Sequence, residues 1–278
     1  MIIPPSLLPH REDIESMHAK VLSLASIHAE FAVYSACTNS YDYPVDTRLF
    51  DTGQVDYFFF SDNKDTVPTG WNWIPIAFEH RDPRRTAKIF KVLPHLFFGH
   101  YKSTVWIDSN RRISRSLVDM AAWVDFANPI ALFRHNKRSD LAREAEECIK
   151  WGKDSSDVIS EQVSRYENRY DVTILGLFSG CFLVRFQESE ALVDAMNWWW
   201  SEIDKWSVRD QLSLPAALFV SEVKPKIIPG NSNDNKYFDT GVHSKVRVYQ
   251  KGLVIQARVI MSRFAIWLGA RVRSARRT

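Results

Sequence analysis

The sequence predicts an α/β protein built on a mostly parallel β-sheet that is covered on both faces. Short, continuous apolar runs rich in β-branched and aromatic residues recur along the chain, as buried parallel strands require. Segments with the apolar spacing of helices alternate with these runs. With 278 residues, of which 45% are hydrophobic, the chain is long enough to bury one substantial core.

Four apolar runs in the first half of the chain are predicted to be strands, and the third is the weakest. They lie at 31–39, 55–63, 72–78 and 103–108. Between the last two, residues 84–98 repeat apolar side chains at helical spacing, and we expect Pro94 to limit or kink that helix. Asp108 therefore stands at the C-terminal end of a buried strand.

The second half of the chain continues the alternation. Strands are predicted at 129–135 and 176–186. Helices are predicted within 137–170, over 189–206 and from 209 up to an interruption at Pro215. The composition of 224–235 indicates a loop.

The cysteines and the N-terminus predict a cytoplasmic protein. Three widely spaced cysteines, without a CxxC pair or a zinc-type cluster, indicate a reducing compartment and no disulfide framework. The start "MIIPPSLLPHRED" lacks the continuous apolar core of a secretory signal. No uncharged apolar stretch is long enough to predict a membrane span.

Charge is distributed unevenly along the chain. The net charge is +3, but no acidic residue follows Asp239, and the nine basic residues beyond it leave residues 1–239 at 3 − 9 = −6. An acidic body argues against a nucleic-acid partner. The basic end also has amphipathic helical spacing, so we predict a catalytic domain at 1–245 and a basic helix or tail at 246–278. That tail suits the inner face of an anionic membrane, an acidic partner, docking on the domain, or simple solvation.

Asp108 and Asn110 are candidate ligands for a metal ion. In open α/β sheets, ligands bind beyond the carboxyl ends of the strands. A carboxylate and an amide oxygen two residues apart suit a hard divalent cation such as Mg²⁺ or Mn²⁺, which completes its shell with water and phosphate. The alternative is that both side chains only cap a turn.

Four motifs together resemble a family of glycosyltransferase-like proteins with plant mucilage-related and bacterial polysaccharide-related members. They are "KVLPH" (91–95), "YKSTVWIDSN" (101–110), "WWWSEI" (198–203) and "RDQLS" (209–213). The resemblance spans most of 31–220. It implies the GT-A fold, a Rossmann-like nucleotide-diphospho-sugar transferase in which a D-x-D motif holds Mn²⁺ or Mg²⁺ under the donor diphosphate, most commonly that of a UDP-sugar. Here Asn110 replaces the second carboxylate of that motif.

The resemblance also implies where the donor binds. The nucleotide is expected at the ends of the first two strands, at Ser35, Ala36, Cys37 and Asp62. Arg85, Lys88 and Lys91, three residues apart, share a helical face that reaches the diphosphate or is simply solvated. His135 and Arg138 are weaker candidates for the sugar or phosphate. In the C-terminal segment, His243 is a candidate third metal ligand and Lys245 a phosphate contact.

For the acceptor side, the family resemblance assigns Asp210 as the general base, which favours inversion at the anomeric carbon. Arg209 or Gln211 would orient Asp210, and Gln211 would also lie near the acceptor. The alternative for Asp210 is a helix N-cap. Trp199, one of several clustered tryptophans, is either an acceptor platform or a core residue.

The sequence therefore predicts a hexosyl- or related glycosyltransferase that uses a saccharide or lipid-linked acceptor, in surface polysaccharide assembly. Two alternatives remain open. A nucleotidyltransferase shares the fold, but "SACTNSYD" has no glycine for a phosphate loop. A non-catalytic nucleotide- or glycan-binding protein is favoured by Asn110 and opposed by Asp108 and Asp210.

Overall fold

A computed structural model of the chain describes residues 8–39, 44, 46 and 48–240. The predicted tail at 246–278 lies outside the described residues, as do His243 and Lys245, so the boundary at 245 stays a prediction. Within the described part, no helix is both long and apolar enough to cross a bilayer.

The described residues alternate strands with helices, largely where the apolar runs predict them. The strands are β1 Phe31–Cys37, β2 Val55–Ser61, β3 Asn72–Pro75, β4 Ser103–Ile107, β5 Arg111–Ile113, β6 Ile130–Arg134, β7 Phe178–Phe186, β8 Lys226–Ile227 and β9 Phe238–Thr240. The α-helices are α1 Arg11–Leu24, α2 Pro83–Val92, α3 His95–Phe98, α4 Leu141–Lys150, α5 Ser156–Glu167, α6 Glu190–Lys205 and α7 Asp210–Val220.

Seven strands form the central sheet in the order β3-β2-β1-β4-β7-β6-β8. β7 runs antiparallel to both of its neighbours, β4 and β6, and the other pairings in this sheet are parallel. A separate two-stranded sheet pairs β5 with β9, with Arg111 opposite Thr240. The predicted fold class, a Rossmann-like, mostly parallel α/β sheet flanked by helices, is confirmed.

Both faces of the sheet are buried, as the continuous apolar strands predict. Side chains alternate along each strand, so Tyr34 and Phe60 enter the core on the face covered by α2 and α6. Val33 and Phe59 enter the core on the other face, which is packed by a 3₁₀ segment at Val118–Trp123 and by loop residues. The five inner strands, β2, β1, β4, β7 and β6, therefore have no solvent-facing side along most of their length, whereas the edge strands β3 and β8 are partly exposed.

The two helix-breaking prolines behave differently. α2 ends at Val92, two residues before Pro94, as predicted. The predicted interruption at Pro215 is wrong, because α7 continues through it. A proline there removes the hydrogen bond to the carbonyl four residues earlier and crowds that carbonyl, but the buried apolar side chains that follow it hold the helix against the core.

Candidate active site

The carboxyl ends of the parallel strands bring the predicted site residues to one edge of the sheet. Asp62, Asp108 and His135 follow β2, β4 and β6, which run in the same direction. β7 runs the opposite way, so its first residues, including Gly180, lie at this edge as well. This is the edge at which open α/β sheets bind ligands.

Lys91 connects two carboxylates at this edge. Its Nζ lies 2.5 Å from Oδ2 of Asp210 and 3.4 Å from Oδ1 of Asp108. Lys88 approaches the other oxygen of Asp210, with Nζ 3.3 Å from Oδ1. The side chains of Lys91 and Asp210 are each 7% exposed, whereas that of Asp108 is 35% exposed. The cluster is thus buried at Asp210 and open to solvent at Asp108.

Helix geometry and one glycine make this clustering feasible. Residues three apart lie on one face of a helix, and their side chains point towards its N-terminus, so Lys88 and Lys91 extend together from α2. On β7, a Cβ at Gly180 would lie 3.0 Å from Nζ of Lys91 and 3.2 Å from Oδ2 of Asp210. The missing side chain of Gly180 leaves room for the ion pair.

The backbone around Asp210 is held by two side chains. The indole N–H of Trp199 donates to the Asp210 carbonyl at 2.9 Å. Asp154 accepts from the Val208 N–H at 2.8 Å and from the Ser207 hydroxyl at 3.0 Å. The N-cap of α7 is Arg209, which makes no side-chain capping bond, and the Asp210 carboxylate faces the lysines instead. The capping alternative for Asp210 therefore does not describe its contacts.

Lys91 and Asp108 are supported from behind by buried polar groups. Arg185, fully buried on β7, donates to the Lys91 carbonyl at 2.7 Å and to the Tyr34 hydroxyl at 2.5 Å. The indole N–H of Trp106 donates to Oδ1 of Asp108 at 2.8 Å. The contact from Arg185 fixes the backbone of Lys91, and the contact from Trp106 fixes one carboxylate oxygen of Asp108.

The ionisation states follow from burial and charge. Burial alone would raise the pKa of Asp210, but Lys88, Lys91 and Arg209 outweigh it and hold the pKa well below its usual range. Burial lowers the pKa of Lys88 to about 8 against the opposing charge of Asp210. For Lys91, burial is outweighed by Asp108 and Asp210, and the pKa is raised. Near neutral pH the cluster holds an ionised Asp210 and two ammonium groups.

A second charged cluster surrounds Glu144, a buried residue of α4. Its Oε2 lies 2.5 Å from Nε of Arg138 and 3.8 Å from Nε2 of His135. Its Oε1 lies 4.0 Å from Nη2 of Arg209, which also donates to Oε1 of Gln211 at 2.8 Å. Burial lowers the pKa of His135 despite the nearby carboxylate. Glu144 therefore brings His135, Arg138 and Arg209 together, and Arg209 directly precedes Asp210 in the chain.

The residues predicted to hold the nucleotide reach the same edge but differ in accessibility. Ser35, Ala36 and Cys37 end β1 and are buried. The Ser35 hydroxyl is buried without a hydrogen-bond partner in the described part of the chain. Asp62 is exposed and accepts the backbone N–H of Asn39 at 2.7 Å, which ties the loop after β1 to the end of β2.

Arg85 does not share the orientation predicted for it with the two lysines. Its guanidinium donates to the carbonyls of Ile203 at 2.7 Å and Trp206 at 2.6 Å, and pairs with Asp82. It therefore caps the C-terminal end of α6, because position 85 in the first turn of α2 lies against that end. These contacts contradict the prediction that Arg85 reaches the diphosphate together with the two lysines.

Trp199 fits the core alternative, because its ring is fully buried and offers no face for a sugar to stack on. The alternative of a simply solvated helix face does not describe Lys88 and Lys91 either, because both ammonium groups lie beside carboxylates.

The donor set for a divalent cation is small in the described residues. No group of three or more His, Cys, Asp or Glu side chains is arranged to hold a metal there. Asp108 presents a partly exposed carboxylate, whereas Asn110 is 2% exposed. Because Mg²⁺ usually takes one or two carboxylates together with substrate phosphates and water, Asp108 fits such an ion as a single protein ligand.

Sequence reasoning missed the residues that support the site. Gly180 had a readable signal, since an isolated glycine within an apolar strand often marks a close approach by another group. Trp106 lies inside the "VWIDSN" motif, but nothing in its spacing indicates a bond to Asp108. Arg185 and Asp154 depend on tertiary packing alone.

Comparisons with known proteins match the region that contains this site. The sequence profile of the TOD1/MUCI70 glycosyltransferase-like domain matches residues 61–227. A probable hexosyltransferase, MUCI70 of Arabidopsis thaliana, is 30% identical over 146 residues, which cover 48% of this chain and 25% of the plant protein. The matched region thus spans about a quarter of that relative. A solved apo structure of the bifunctional glycosyltransferase WbbM is similar over 75% of this chain and 41% of its own, with 12% identity and a TM-score of 0.45.

Proposed function

The chain belongs to the TOD1/MUCI70 glycosyltransferase-like domain family, and on that premise we propose that it transfers a hexosyl or related group from a nucleoside-diphosphate donor to a saccharide or lipid-linked acceptor. The observation that carries the proposal is the cluster at the carboxyl edge of the sheet, in which Lys91 bridges Asp108 and the buried Asp210. It combines cations for a departing diphosphate with a carboxylate for an acceptor hydroxyl.

The donor diphosphate binds at Lys88 and Lys91 in this proposal. Negative charge builds on the leaving nucleoside diphosphate as the glycosidic bond breaks, and two ammonium groups in a largely buried site stabilise it. The nucleoside, uridine being the expected one, lies towards Ser35, Ala36, Cys37 and Asp62.

Asp108 would hold Mn²⁺ or Mg²⁺, which when bound supplies Lewis-acid stabilisation to the diphosphate. His243 is the proposed further ligand, and Lys245 a phosphate contact. The support is the position of these residues along the chain. Thr240 pairs with Arg111, which lies three residues after Asp108. His243 follows Thr240 by three residues, and three residues of extended chain span about 10 Å.

Asp210 accepts the proton of the acceptor hydroxyl in an inverting, single displacement. The lysines keep it ionised, as a general base requires, and weaken its basicity while they remain paired with it. A diphosphate that draws either ammonium group towards itself strengthens the base. Arg209 and Gln211, which are hydrogen-bonded to each other, orient Asp210, and Gln211 also lies near the acceptor in this proposal.

The cellular setting is an extension of the proposal that rests on the sequence alone. We place the reaction in the cytoplasm, in surface polysaccharide assembly, with the basic segment 246–278 at an anionic membrane surface.

Replacing Asp210 with asparagine tests the proposed chemistry. We expect Asp210→Asn to slow acceptor-dependent release of UDP from a UDP-sugar panel by about 100-fold or more, because a general base contributes roughly that much, while UDP binding persists. Asp157→Asn is the matched control, since Asp157 occupies the first turn of α5 and is exposed. Turnover of Asp210→Asn within a few-fold of wild type would exclude the residue as the base.

A further inference from the structure

Positive charge exceeds negative charge around Glu144. Arg138 and Arg209 approach its two oxygens, at 2.5 Å and 4.0 Å, with 21% and 28% of their side chains exposed. Lys153, which is half-buried in the turn after α4, adds a third cation. Its backbone N–H donates to the Cys148 carbonyl. Three cations therefore share one carboxylate.

Lys153 is the least compensated of the three cations. Its backbone N–H donates to the carbonyl of Cys148 at 2.9 Å, and the thiol of Cys148 lies 3.5 Å from Oε1 of Glu144, so Lys153 is placed beside this cluster. Burial lowers its pKa, and the positive charge of Arg209 lowers it further. No carboxylate in the described part of the chain lies within 4.0 Å of its ammonium group. By contrast Lys150, on the same helix end, is exposed and pairs with Glu147 at 3.1 Å.

Arg209 also interacts with Asp210, but Lys88 and Lys91 already pair with that carboxylate, so the cations around Glu144 remain in excess. Excess positive charge in a partly buried site is unfavourable unless an anion joins it. Glu144 is already engaged by Arg138, His135 and the Cys148 thiol, so it has little capacity to neutralise Lys153 as well. Arginine forks match carboxylate and phosphate oxygens, and a lysine adds a point charge. The chemistry of the cluster suits a small oxyanion.

We propose that Arg138, Arg209 and Lys153 form an anion subsite that receives a carboxylate or phosphate group of the acceptor. The assignment to the acceptor rests on the proposed function. Arg209 directly precedes Asp210, so an anion held by Arg209 brings a neighbouring hydroxyl towards that carboxylate. The donor diphosphate has its own cations, Lys88 and Lys91 on α2.

Two sources supply such an anion, the carboxylate of a uronic acid and the phosphate of a sugar phosphate or lipid-linked acceptor. Backbone NMR titrations with glucuronate, glucose 1-phosphate and neutral glucose, each in the presence of saturating UDP, distinguish them. We expect the anionic probes, and not glucose, to shift the amide signals of Gly152 and Lys153. Tighter binding of glucuronate identifies a uronic acid, and tighter binding of glucose 1-phosphate identifies a phosphate.

Lys153→Gln tests the subsite against Lys150→Gln as the matched control. We expect Lys153→Gln to bind the preferred anionic probe about tenfold or more weakly, the order of a lost charge-assisted hydrogen bond, and Lys150→Gln to match wild type. Equal affinities in the two variants, or equal binding of glucose, would overturn the proposal. UDP binding is measured separately. If UDP fails to bind, the proposed donor function fails. The comparison of the two variants without UDP still decides whether the anion subsite exists.

Discussion

Lys91 brings together two carboxylates that are far apart in the sequence. Asp108 and Asp210 were each assigned a role separately, one as a metal ligand and the other as a base. In the structure one ammonium group contacts both. The consequence is electrostatic coupling, because whatever binds Lys91 also changes the environment of Asp210.

Lys88 gives donor binding a predicted dependence on pH. Its pKa is lowered to about 8, so above that pH it loses the positive charge that attracts a diphosphate, whereas the raised pKa of Lys91 keeps that residue charged. We expect UDP affinity, measured by calorimetry, to be steady up to about pH 8 and to fall above it. Lys88→Gln should bind more weakly and lack the fall. The same fall in the variant would assign the titration to another group.

The identity of the site residues was more predictable than their contacts. Asp108 was selected because a strand ends there, the resemblance pointed to Asp210, and helical spacing pointed to the two lysines. Arg85 was misassigned because helical spacing places it on the same face as the lysines, whereas the end of α6 captures its guanidinium. Spacing along one helix carries no information about which neighbouring element lies against each turn.

On β7, the absence of a side chain at Gly180 leaves room for the ion pair of Lys91 and Asp210. A methyl group at Gly180 would press on Nζ of Lys91 and on Asp210, which would have to shift by a few tenths of an ångström. We expect Gly180→Ala to weaken UDP binding several-fold while the free energy of unfolding changes by less than about 1 kcal/mol. Gly53→Ala is the control, because a Cβ there meets nothing within 4 Å. Unchanged UDP affinity in Gly180→Ala would show that the clearance has no functional role.

Arg185 links β7 to the C-terminal end of α2. Its replacement by methionine removes the buried hydrogen bonds that Arg185 donates to the Lys91 carbonyl and the Tyr34 hydroxyl, so we expect Arg185→Met to lower the free energy of unfolding by about 1–3 kcal/mol. Arg134→Met, at the exposed end of β6, should change it by less than about 0.5 kcal/mol. Denaturant unfolding measures both, and equal values would contradict the role of Arg185.

The strands of the central sheet were predictable because they are continuous apolar runs bounded by turn residues. The small sheet of β5 and β9 was not predicted, since strands of three residues show no pattern and their pairing depends on distant segments. α7 was cut short in the prediction because proline was weighed without the packing that holds the helix beyond it. Local rules therefore located the main strands of the central sheet and most helices, but they missed α1 at Arg11–Leu24, the small sheet and the second half of α7.

For the whole molecule, the parallel strands explain why residues from distant parts of the chain share one site. The alternation of strands and helices predicted the fold class, and the family profile covers residues 61–227, from the end of β2 through β8. The basic segment 246–278 lies outside the described residues, so its predicted membrane role stays a prediction.

Calorimetric titration of UDP, with and without Mn²⁺, tests the central claim most directly. We predict that wild type and the control Asp157→Ala bind UDP, that Mn²⁺ strengthens the binding, and that Asp108→Ala loses the effect of Mn²⁺ because the partly exposed carboxylate at the end of β4 is gone. Absence of UDP binding with and without Mn²⁺, or an unchanged effect of Mn²⁺ in Asp108→Ala, would contradict a metal-assisted nucleoside-diphosphate site at this edge of the sheet.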